Sequence, residues 1–178
     1  MIDFNRKTPN ILVVGDLMID HYLWGSCDLI SPEAPVQVIN VESESTILGG
    51  AGNVINNLKA LGAQVDVISV VGNCKTSGEL KKLLSDIEVD TQYLITQKNR
   101  ITSKKSRIIA SQQQVVRYDR ESTDEINIES QSIIIDTFNK VIENYEVILL
   151  SDYGKGVLTK KLTQSLINVV NQSGKKVL

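Results

Sequence analysis

Asn10-Ile-Leu-Val-Val-Gly15 decides the fold. An unbroken apolar run closed by glycine reads as a strand buried on both faces, which is the signature of a parallel sheet covered by helices on either side. Gly15-Asp-Leu-Met-Ile-Asp20 follows it and sets two carboxylates at the carboxyl end of that strand, where open α/β sheets take their ligands. Working outward, Gln64–Gly72 and Glu146–Leu150 read as further buried strands. Helical stripes run over Gly50–Leu61, Thr76–Ile87 (with Ser77 as cap), Ile128–Asn144 and Thr159–Ser173. Pro35–Val41, Thr91–Ile95, Thr102–Ala110 and Gln114–Tyr118 read as strands from their β-branched content. Lys175–Leu178 opens one more.

The chain has 178 residues, 42% hydrophobic, 22% charged and 4% aromatic, a composition of ordinary globular domains. A formal net charge of -2 argues against a surface built for nucleic acid. No apolar run has the ~20 residues of a membrane helix, and Met1–Pro9 has no apolar core of a signal peptide, so a cytoplasmic protein is expected. Cys27 and Cys74 stand far apart beside a single histidine, His21, which excludes the usual zinc layouts and predicts two free thiols.

Four features carry chemistry. Asp20 suits a polyol, because a carboxylate accepts two hydroxyl protons; a cap or turn role fits its spacing equally well, and Asp16 is the more turn-like of the two. His21, adjacent on the chain, points to the opposite face of a strand and is expected as a plain lid or surface histidine. Gly49-Gly-Ala-Gly-Asn53 is a glycine turn opening a helix, where a ligand can approach the backbone closely; it matches neither the dinucleotide fingerprint nor the P-loop. Lys98, Arg100, Lys104, Lys105 and Arg107, with Arg117 beyond, form a basic cluster that can hold phosphate. For Lys98, Arg100 and Lys104 an exposed edge strand guarded by charge is the preferred reading. Leu150-Ser-Asp-Tyr-Gly-Lys-Gly156 sets Asp152 and Lys155 among glycines at another strand end, a composition that ordinary turns share.

In this order, Val13–Asp20, Ile30-Ser-Pro-Glu-Ala-Pro-Val36, Gly49–Asn53, Gln113-Gln-Val-Val-Arg-Tyr-Asp119 and Leu150–Gly156 resemble the ribokinase-like (PfkB) carbohydrate kinases over essentially the whole chain. The likeness is closest to the members that phosphorylate D-glycero-D-manno-heptose 7-phosphate at its anomeric hydroxyl, on the way to ADP-heptose and the lipopolysaccharide core. It implies a three-layer αβα ribokinase-like fold, with His21–Val41 and Tyr93–Asp119 forming a small β-sheet lid. It also implies a homodimer through the lid, and ATP and Mg2+ as cofactors. Carried over by position, Asp20, Gly49, Gly50 and Asn53 hold the sugar, Lys105, Arg107 and Arg117 meet its 7-phosphate, and Asp152 and Lys155 complete the substrate set. The family's general base, the aspartate of a Gly-Ala-Gly-Asp turn, has no match here. It is expected beyond Leu178 with the nucleotide pocket, so the 178 residues alone are expected to be inactive. The alternative from another class is a noncatalytic sugar-phosphate binding or dimerisation module.

Overall fold

The computed structural model describes residues 8–178; Met1–Lys7, part of the segment without a signal-peptide core, lies outside the described residues. Five parallel strands form the body sheet: β1 (Asn10–Gly15), β4 (Gln64–Gly72), β5 (Leu94–Gln97), β8 (Val147–Ser151) and β9 (Lys176–Val177), in the order β5-β4-β1-β8-β9. Alternation on β1 divides the core. Ile11 and Val13 pack with α1 (Ala51–Ala60) and α2 (Lys75–Asp86), while Leu12 and Val14 pack with α3 (Ile128–Val141) and α4 (Lys160–Gln172). The body is therefore three layers, helices on each side of a sheet. β1 starts the half that grows toward β4 and β5, and β8 starts the half that grows the other way. Their carboxyl ends meet at the point where strand order reverses.

A second sheet rises from this point, with β2 (Leu17–Ile30), β3 (Gln37–Gly50), β6 (Ser103–Ala110) and β7 (Gln113–Arg120) in the order β3-β2-β6-β7. It consists of two antiparallel hairpins joined by parallel pairing of β2 with β6. β2 has no continuous strand signal because it begins in the core, ends exposed, and slips register between Trp24 and Gly25 and again between Ser26 and Leu29. β3 extends nine residues past the expected Val41, to Gly50, through a largely exposed stretch that no apolar pattern marks.

Four further expectations are corrected. Leu94–Gln97 pairs with β4 in the body, so the Tyr93–Asp119 interval is not wholly part of the second sheet. Lys98 is exposed in the turn after β5, but Lys104 lies on β6, an inner strand, and its ammonium meets Glu79 of α2 at 2.9 Å. Arg100 is buried, because the β5–β6 linker passes inside the molecule. The cap of α2 is Cys74, with Ser77 at the third helical position donating its hydroxyl to the Cys74 carbonyl at 2.6 Å. Thr159 caps α4, its hydroxyl accepting from Leu162 N at 3.2 Å. Both cysteines are free. Among the described residues no helix is long and apolar enough to cross a membrane.

Candidate functional site

Cross-strand partners share a face, so the register of the second sheet sorts its side chains into rows. One row holds Ile47, Asp20, Lys105 and Asp119; the next toward the tip holds Ser45, Tyr22, Arg107 and Arg117. Asp20 and His21 face opposite ways, as expected. His21 is nonetheless buried rather than on the surface, its Nδ1 3.1 Å from Ser106 Oγ and its Nε2 3.3 Å from Glu44.

The charged face is densely paired. Arg107 donates to Asp20 Oδ1 at 2.5 Å and lies over the Tyr22 ring, 5.2 Å from its centroid. Hydrogen bonding to Asp20 raises the Arg107 pKa above its ordinary value against the opposing effect of burial. Asp20 Oδ2 faces Gly49, where a Cβ would collide with it. At Gly50 the backbone turns to φ 56°, and a Cβ would stand 2.6 Å from the Asp16 carbonyl. The Gly49-Gly50 pair thus lets β3 pass against Asp20 and turn directly into α1.

Lys105 donates to Asp119 at 2.8 Å and to Glu121 at 3.1 Å. Glu121 holds Lys155 with its other oxygen at 2.9 Å, and Arg117 meets Asp119 at 3.0 Å. Asp20, Gly49, Lys105, Arg107 and Arg117 therefore share one face, with Lys155 attached through Glu121. Gly50 lies beneath them at the start of α1. Asn53 is exposed on the first turn of α1, and Asp152 is exposed and accepts from Gly154 N at 2.8 Å, a turn geometry.

Asp16, the residue expected in a turn, has a larger part. Its carboxylate, 1% exposed, accepts from the backbone N–H groups of Tyr153 at 2.8 Å, Lys155 at 3.0 Å and Val157 at 3.1 Å. Its carbonyl accepts from Ala51 N at 2.9 Å. One residue thereby ties the end of β1 to both the α1 turn and the turn that carries Lys155. Arg100 adds a second tie, donating to the Asp124 carbonyl at 3.0 Å and to the Lys155 carbonyl. Asp119 and Glu121 carry no motif that marks them as site residues, although they continue the two-residue spacing of Arg117, Asp119 on β7 and Glu121 just past its end. Asp16 and Arg100 act through backbone groups far away in sequence, which leave no local pattern.

A parallel sheet between two helical layers, with a charged second sheet over its switch point, is a ribokinase-like α/β frame. The chain belongs to the pfkB family of carbohydrate kinases, whose model matches residues 8–178. Two proteins named Bifunctional protein HldE are close relatives. That of Aliarcobacter butzleri (strain RM4018) is 66% identical over 97% of this chain and 36% of its own length; that of Sulfurimonas denitrificans is 54% identical over 96% and 36%. The chain spans little more than a third of these curated relatives. A carbohydrate kinase from Agrobacterium tumefaciens superposes with a TM-score of 0.69 at 18% identity, over 96% of this chain and 52% of that one. Arabidopsis thaliana ribokinase complexed with ribose and ATP gives 0.63 at 16%, over 96% and 53%. At such identities these two establish the ribokinase-like fold.

Proposed function

We propose that these residues form the sugar-binding part of a kinase that transfers the γ-phosphate of ATP to the C1 hydroxyl of D-glycero-D-manno-heptose 7-phosphate, a step toward ADP-heptose. Membership of the pfkB family and similarity to proteins named HldE support the reaction class. The observation that carries the substrate is the register of Arg107 opposite Arg117, one row from Asp20. Like charges directly opposite on a strand pair repel, and a phosphate between two guanidiniums relieves that repulsion with charge-assisted hydrogen bonds. Two residues along a strand span about 7 Å, a distance suited to the hydroxyl end and phosphate end of one sugar phosphate.

In this reading Asp20 Oδ2 accepts sugar hydroxyls across the bare backbone of Gly49, while Arg107 fixes the carboxylate through Oδ1. Asp16 and Arg100 hold the Lys155 turn rigid beside it. Phosphoryl transfer depends on positioning and charge stabilisation, and this chain contributes the positioning. ATP supplies the phosphoryl group. The rest of the kinase domain supplies the general base and the nucleotide pocket, in keeping with the roughly half-length match to solved kinases. Mg2+ would enter with the nucleotide, and among the described residues no three His, Cys, Asp or Glu side chains cluster to hold it. The second sheet acts as a lid in the cytoplasmic enzyme, and its exposed Leu29, Ile30, Val38 and Val41 offer apolar area to a second copy in a homodimer.

The test is kinetic, in the full-length protein. Arg117→Ala should lower kcat/KM for heptose 7-phosphate roughly 10-fold or more, as expected for one lost charged hydrogen bond, and leave unphosphorylated heptose nearly unchanged. Equal losses for both sugars would remove the phosphate assignment. Asp20→Asn should depress both alike, and full activity in that variant would refute the sugar role.

A further inference from the structure

The two lysines joined by Glu121 come from different parts of the fold. Lys105 stands on β6 of the second sheet, Lys155 on the turn after β8 of the body, and Glu121 just beyond β7 in the return to the body. The three side chains are 14%, 17% and 16% exposed, so solvent screens them only partly. Each carboxylate oxygen of Glu121 takes one ammonium, at 3.1 and 2.9 Å. Two ammonium groups converging on two oxygens of one anion is the arrangement that would grip two oxygens of a phosphate.

We propose that Lys105 and Lys155 form an anion subsite for a phosphate oxyanion, with Glu121 as its built-in occupant, displaced when a phosphate-bearing ligand binds. The geometry favours exchange over a permanent bridge on two counts. Lys105 keeps Asp119 at 2.8 Å when Glu121 leaves, so that ammonium is never stranded. The Lys155 backbone is held independently by Asp16 and Arg100, so its position does not depend on Glu121. Glu121 borders solvent and carries its charge there on release. The proposal rests on the functional reading above only in placing the subsite on the substrate face. The phosphate can come from the sugar phosphate or from the nucleotide.

Inorganic phosphate is the first probe, titrated into the full-length protein and followed by 31P NMR or calorimetry. Removing the competing carboxylate with Glu121→Gln should tighten phosphate binding about 10-fold, the scale of one close ionic contact. Adding Lys105→Ala or Lys155→Ala to that variant should abolish the gain. Glu79→Gln, which makes the same charge change at the Lys104 pair, should leave phosphate affinity near the parent value. Unchanged or weaker binding in Glu121→Gln, or an equal gain in Glu79→Gln, would overturn the subsite. Competition then separates the sources: heptose 7-phosphate expelling phosphate assigns the subsite to the sugar, and ATP doing so assigns it to the nucleotide. If phosphate binds as expected and neither ligand expels it, the displacement of Glu121 by a substrate phosphate is overturned, while the heptose 7-phosphate reading, which rests on Arg107 and Arg117, still stands or falls on the Arg117→Ala kinetics.

Discussion

Glu121 and Asp119 link the charged face to acid stability. The Glu121 carboxyl lies below its ordinary 4.5: burial opposes ionisation, and hydrogen bonds from Lys155 and Lys105 outweigh it. Asp119 lies below its ordinary 3.8, first through the hydrogen bond from Lys105, which outweighs burial. A carboxyl with a depressed folded pKa adds stability that is complete above its unfolded pKa and is lost as pH falls through the folded one. The urea midpoint should therefore decline as pH drops below 4.5, and Glu121→Gln should decline less steeply over the same interval. Parallel slopes for the two proteins would show that the bridge contributes nothing to folding.

The connection from β3 to α1 shows what a single atom costs at the scale of an element. Gly50 and Gly62 both have positive φ, 56° and 87°, but a Cβ at Gly50 meets the Asp16 carbonyl and Met18, whereas at Gly62 nothing lies within 4 Å. Gly62→Ala should therefore cost about 1 to 2 kcal/mol of backbone strain, and Gly50→Ala about 2 to 4 kcal/mol once the overlap is added. Equal losses in urea unfolding would mean that the turn relaxes freely. Elements such as β1, β4 and α4 are legible in the sequence because burial on both faces leaves a nearly continuous apolar run in the strands and burial of one face leaves a helical period in α4. β2 and the stretch of β3 from Glu42 to Gly50 are not, since most of that stretch is exposed and has no apolar pattern and β2 is interrupted by bulges. The same contrast holds for the site. Asp20 and Lys105 follow from motif positions, but their neighbour Glu121 and the ties through Asp16 and Arg100 depend on register and on backbone groups.

Across the whole molecule, Arg100 joins three connections: its own linker between β5 and β6, the lead-in to α3 at Asp124, and the Lys155 turn. Burial lowers its pKa from the ordinary arginine value, while Asp16 and Asp124 oppose that shift. Arg100→Ala should destabilise by about 3 kcal/mol, the lower end for two charge-assisted hydrogen bonds. Arg100→Lys should restore little, because a single ammonium does not reproduce the fork that meets both carbonyls. A change within about 0.5 kcal/mol would place it with ordinary surface substitutions and remove it as a tie.

The parallel pairing of β2 with β6 also orders events in time. Each hairpin of the second sheet closes over a short stretch of chain, but Asp20 meets Arg107 and His21 meets Ser106 across more than eighty residues. Contacts of such sequence separation form late, after the loop entropy between them has been overcome. The charged face is thus assembled from two separately closing ribbons, and it exists only once the intervening α1–β4–α2–β5 segment has folded and brought their edges together.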